Sequence, residues 1–123
     1  MGDAAYADLK HQRYDLRYIE SRFNATLSAP HYSELQSRAK IIGVWDDHDY
    51  GSGNGDRSFE GKAEVKNLFL DFIGEPETSP RRDEGRGIYW DYFVEHDGVK
   101  VHIVLLDVRY DYDKPSNDRL GEA

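Results

Sequence analysis

Five small or apolar residues, Ile41 to Trp45, run directly into Asp46, Asp47, His48 and Asp49. A continuous apolar run of strand length suits a sheet covered on both faces, so this segment predicts a buried strand in a layered fold. The four polar residues that follow pose an electrostatic problem. Three carboxylates around one imidazole repel each other unless they disperse into solvent or share a cation. Ligands of open α/β sheets bind at the carboxyl ends of the strands, which is where this quartet would lie. Carboxylate oxygens suit hard cations and neutral imidazole suits transition metals. Taken in isolation, the quartet reads more simply as turn-capping aspartates beside a solvated histidine.

The rest of the chain alternates helical and extended patterns. From Asp8 onward, Leu16, Ile19, Phe23 and Leu27 recur at steps of three and four, which predicts an amphipathic helix ending before Pro30. His31 to Ala39 reads as a shorter second helix. Val65, Leu68, Phe69, Phe72 and Ile73 share one face of a third, stopped by Gly74 and Pro76. Residues 88–110 read as two strands joined at Asp97-Gly98, a strong hairpin signal. Val99, Val101, Ile103 and Leu105 alternate with Lys100 and His102, and the "IVLLD" end, apolar on both faces, predicts entry into a sheet interior. Helices mixed with one doubly buried strand indicate an α/β layered fold. The opening residues read as a loop leaving a strand, and "DRLGEA" as the first turn of a helix, so the chain reads as an internal piece of a larger domain.

With 16 basic and 24 acidic side chains, the formal net charge is −8. That balance speaks against a nucleic-acid or anionic-membrane surface, which needs a basic stripe. It also means that any bound phosphate must be held by metal ions or a local arginine. The chain has no cysteine, so disulfides, thiolate zinc sites and cysteine nucleophiles are excluded. No apolar run is long enough to span a bilayer, and nine tyrosines argue against disorder.

"GDAAY", Gly2 to Tyr6, is the second candidate site. Joined to the later Asp-His pair, it supplies the residue types of a dinuclear phosphoesterase, in which two metals activate water and stabilise the attacking and leaving oxygens. An EF-hand reading of the same loop fails. Counted from Asp49, Glu60 falls at the twelfth position, but Gly51 and Gly53 occupy the third and fifth and carry no side-chain oxygen.

"WDDHDYG", "FEGKAEVKNLFLDFIGEP", "RRDEGRGIYWDY" and "VKVHIVLLDVRY" resemble, in order and spacing, the alkaline phosphatase D (PhoD-like) family. The resemblance covers nearly the whole chain. "MGDAAYAD" is similar to the family's "GD-x-x-Y-x-D" segment, which purple acid phosphatases share in part. "DHD" resembles the Asn-His-Asp/Glu segment of calcineurin-like metallophosphoesterases. The resemblance implies a calcineurin-like α/β sandwich, of which residues 1–123 supply a central portion without its flanking segments. It implies iron and calcium as cofactors and a phosphate mono- or diester as substrate. Asp3 would bridge the metals, Tyr6 would bind ferric iron and Asp47 would hold the second metal, with Asp46 as the alternative. His48 would contact the phosphate and protonate or stabilise the leaving oxygen. Family members are often secreted or periplasmic.

The chain departs from the family at "DHDYGSGNGD", where Gly53 stands at a common asparagine and Asn54 at a common aspartate; Asn54 is the ligand carried over, on a shifted loop. The family's first metal-binding segment and its late histidine segment would lie outside residues 1–123. A rival reading is therefore a non-catalytic calcium-binding or interaction module. Arg81, Arg82 and Arg86 read as a solvated loop, and Asp107 and Arg109 as a structural ion pair. His96 and His102 read as surface residues, His11 and His31 flank helix starts and carry no signal, and Tyr89, Trp90, Tyr92 and Phe93 read as core and sheet packing.

Overall fold

The computed structural model describes residues 2–8 and 14–114. They mix three helices with a two-stranded antiparallel sheet: α1 (Leu16–Leu27), α2 (Pro30–Arg38), α3 (Lys62–Phe72), a 3-10 turn (Pro80–Arg82), β1 (Trp90–His96) and β2 (Val99–Leu105). The helical face of α1 is as expected, but the helix begins at Leu16. Asp15 ends it there by accepting from the Arg17 and Tyr18 amides, which satisfies two of the unpaired donors of the first turn. Residues 9–13, including His11, lie outside the described residues.

The core lies between α1 and α3. Ile19 and Phe23 from α1 are buried with Val65, Phe69, Leu70 and Phe72 from α3. The Phe23 ring lies 5.1 Å from Phe72 and 6.1 Å from Phe69, within the range of favourable aromatic pairs. Trp45 closes this core, 5.8 Å from Phe69 and 5.0 Å edge-on to Tyr50. Each such buried side chain contributes roughly 1.5–3 kcal/mol. The α3 terminus follows the sequence reading: Gly74 adopts φ +73°, its amide bonds Asp71 O, and the Glu75 amide bonds Leu70 O, a Schellman cap.

The hairpin also forms as expected, in register Trp90 with Leu105 through His96 with Val99. Asp97 and Gly98 both take positive φ, as a two-residue hairpin turn of this kind requires. Trp90, Tyr92, Val94, Val99, Val101, Ile103 and Leu105 share one face.

Three expectations are corrected. Residues 41–45 form no strand, because among the described residues no neighbour pairs with them. Side chains fix the run instead: Arg81 takes the Gly43 carbonyl and Asp107 takes the Trp45 indole N–H. The "IVLLD" end does not enter a sheet interior. Among the described residues β2 pairs only with β1, and Val104 and Leu106 are exposed. Of the four aromatic residues assigned to packing, Trp90 and Tyr92 are half-buried, whereas Tyr89 is exposed and Phe93 is 76% exposed, stacked on His102 at 4.1 Å. No helix of the described residues is long and apolar enough to cross a membrane.

Candidate metal centre

The apolar run delivers Trp45 into the core and so fixes where the next four residues emerge. Asp49 turns inward and is fully buried. Its two oxygens accept from the Ala4 and Ala5 amides at 2.9 and 2.8 Å, which pins the "GDAAY" loop against the "DDHD" loop. Burial pushes the Asp49 carboxyl up, and the Ala5 and Ala4 amides oppose that effect. Gly2 is needed for the approach. A Cβ there would collide with the backbone and Cβ of Asp46.

The outcome is a convergence of Asp3, Asp47 and His48, one ligand atom from each lying within 4.8 Å of the others. Asp3 Oδ1 is buried with no hydrogen-bond partner, and a buried carboxylate oxygen without a partner is costly. That orphaned oxygen, with a second carboxylate and an imidazole beside it, fits the donor set of a metal ion. Asp3 (φ +59°), Tyr6 (φ +46°) and Asn54 (φ +53°) all sit in the left-handed region, uncommon for residues with a side chain and often found where function imposes strain.

Asp47 Oδ2 accepts from the Asn54 amide at 3.0 Å. Burial pushes the Asp47 carboxyl up, but the Asn54 amide, His48 and Arg109 outweigh it and hold it below the usual range. Asn54 thus meets the site through its backbone. Tyr6 is 53% exposed, with its ring stacked on His48 at 4.6 Å. His48 Nδ1 lies 2.9 Å from Asp8 Oδ2, a charge contact out of line for a hydrogen bond. The Asp8 carboxylate raises the imidazole's pKa, against the lowering effect of burial, and Asp47 and Asp3 add to it.

Asp46 stands apart. Its Oδ1 accepts Arg109 Nε at 2.7 Å and the Asp47 amide at 2.9 Å, with Arg109 Nη2 at 2.6 Å. The expected Asp107–Arg109 ion pair is therefore not the one that forms. Asp107 instead accepts from the Trp45 indole and from the Ile88, Arg109 and Tyr110 amides, which fixes the turn that aims Arg109 at the quartet.

The arginine-rich loop is also corrected. Arg81 is fully buried, bonded to Gly43 O, Ile88 O and Glu75. Arg82 bonds Pro76 O, Glu75 O and Asp71, and Arg86 stacks on Tyr89 at 4.6 Å. None of the three is a free loop cation. His96 is a surface residue as expected, His31 is exposed, and His102 is half-exposed beside Asp91.

Sequence reasoning placed Arg109 near the centre, but paired with Asp107 and not Asp46, and gave Asp8 no role. The aspartate of "Y-x-D", two residues beyond Tyr6, was the available signal for Asp8. Nothing local pointed to the pairing of Arg109 with Asp46, 63 residues away. Compared with protein-family models, curated proteins and solved structures, the chain matches none.

Proposed function

We propose that this chain is the central part of a metal-dependent phosphoester hydrolase of the alkaline phosphatase D-like kind, built on a calcineurin-like α/β sandwich. The observation that carries the reading is the meeting of Asp3 with Asp47 and His48, with a buried, unpartnered Asp3 oxygen between them. Asp3 and Asp47 would hold the metal, iron or calcium by the resemblance, with the Tyr6 phenol as a further ligand for ferric iron. Asn54 supports the site by donating its amide to Asp47. When bound, such metals supply an activated water and neutralise charge on the phosphoryl oxygens.

The chain's own contribution centres on His48. Asp8 occupies the Nδ1 side of the ring, so Nε2 is the atom left to carry a proton to the leaving oxygen. The surrounding carboxylates favour the protonated ring, the form needed by a general acid or by a donor to a phosphate oxyanion. Tyr6, stacked on the imidazole, limits its rotation and shields one face from water.

The test is hydrolysis of p-nitrophenyl phosphate and bis(p-nitrophenyl) phosphate by the chain expressed within its full natural reading frame. The reading expects metal-dependent turnover that His48→Ala lowers by roughly 10²–10⁴-fold while bound metal is retained. Metal binding without turnover would replace the hydrolase reading with that of a metal-binding module. Turnover unchanged in H48A would overturn the role given to His48.

A further inference from the structure

Resting on that metal reading, we propose that Asp46 is a guard carboxylate: it anchors Arg109 and thereby keeps Asp47 free for the cation. The geometry is asymmetric. Arg109 Nε and Nη2 converge on Asp46 Oδ1 at 2.7 and 2.6 Å, whereas Asp47 Oδ1 stands 3.6 Å from Nη2. A guanidinium this near two carboxylates competes with any cation for both of them. Asp46 takes both of these N–H groups and is partly exposed, while Asp47 is held by the Asn54 amide with a ligand atom within 4.8 Å of Asp3 and His48. The Arg109 amide is tied to Asp107, and its side chain is largely buried beside both carboxylates. The arginine is therefore a positive charge set between two adjacent aspartates, with its nearer contacts to Asp46.

The arrangement accounts for two adjacent aspartates where one ligand suffices. Asp46 absorbs the arginine; Asp47 faces the metal. In return the arginine offsets part of the repulsion within the quartet, so the loop holds its form before a cation arrives. Removing the charge of Asp46 would make Asp47 the nearest carboxylate for Arg109, and a cation would then have to displace a guanidinium.

The experiment uses the chain within its full natural reading frame and Ca2+ alone, by calorimetric titration and by NMR of the Arg109 Nε–H resonance. Wild type is expected to bind Ca2+ with the Arg109 resonance unmoved, since the Asp46 contact persists. Asp46→Asn is expected to weaken Ca2+ binding by about tenfold, and there Ca2+ should shift the Arg109 resonance as it drives the guanidinium off Asp47. D46N/R109Q is expected to recover affinity to within about threefold of wild type. A mere change of net charge could reproduce the affinities, but it would leave the resonance still in D46N, and that result overturns the proposal. Affinity that stays low in the double variant would make Asp46 itself a ligand and overturn it equally. Displacement of Arg109 by Ca2+ in wild type would do so without any variant. Wild type that binds no Ca2+ would instead remove the metal reading beneath it.

Discussion

Asp49 is the residue on which the two loops of the centre depend. Fully buried, it satisfies two amides 44 and 45 residues away, and those amides directly follow Asp3. Asp49→Ala leaves both N–H groups without a partner, each costing about 1–3 kcal/mol, so a total loss of roughly 2–6 kcal/mol is expected in urea unfolding. Ca2+ affinity should fall in the same variant, because Asp3 is no longer held near Asp47. Loss of stability with unchanged affinity would show that Asp3 is placed by other contacts. Asp3, Asp47 and His48 were legible in the sequence because short motifs carry their chemistry. Which of Asp46 and Asp47 lies beside Asp3 was not, since Asp46 is drawn to a guanidinium 63 residues away. Asp49 was equally hidden: in the sequence it is one more acid in a polar loop, and only the return of residues 4 and 5 makes it structural.

The helices and the hairpin were the most legible elements, because their signals are local. Periodicity marks the buried faces of α1 and α3, and the Asp97-Gly98 turn sets the register of the strands. The end of α3 offers a clean test of one such signal. Gly74 takes φ +73°, and a Cβ there would meet nothing within 4 Å. Gly74→Ala should therefore cost about 1–2 kcal/mol from backbone strain alone. Asn at the same place should cost less, since it tolerates the left-handed region better. Urea midpoints for the two variants check the order, and an alanine as stable as glycine would mean that the cap can relax. Residues 41–45 show where local signals stop. Apolar composition identifies burial correctly at Gly43 and Trp45, but strand identity requires a hydrogen-bonded neighbour. Here Arg81 takes the Gly43 carbonyl that a neighbouring strand would have taken, and Asp107 takes the Trp45 indole N–H.

At the scale of the molecule, the coarse class of helices with an antiparallel sheet was readable, whereas the tie that binds its parts was not. Arg81 looked like a loop cation because burial is set by the whole fold and not by its neighbours in sequence. In the structure it joins residue 43, residue 88 and Glu75, and Glu75 accepts from Ser79 and Tyr92. Burial would raise the Glu75 carboxyl, but the Ser79 hydroxyl, the Arg81 charge and the Tyr92 hydroxyl together lower it. A carboxylate depressed in the folded state stabilises the fold above its unfolded pKa, about 4.3 for glutamate, and that stability is lost as pH falls through the folded value. Glu75→Gln leaves Arg81 buried without its counter-charge, so it should cost about 3–5 kcal/mol near pH 7. As pH drops below about 4.3, wild type should lose stability faster than E75Q, and the gap between them should narrow. Unfolding free energies of both proteins from pH 7 to pH 3 test this directly. A gap that stays constant would place the tie in hydrogen bonding and shape, with the Glu75 charge contributing nothing. A narrowing gap would show that the charge itself joins the helical core to the hairpin, and through Gly43 to the run that presents the candidate metal centre.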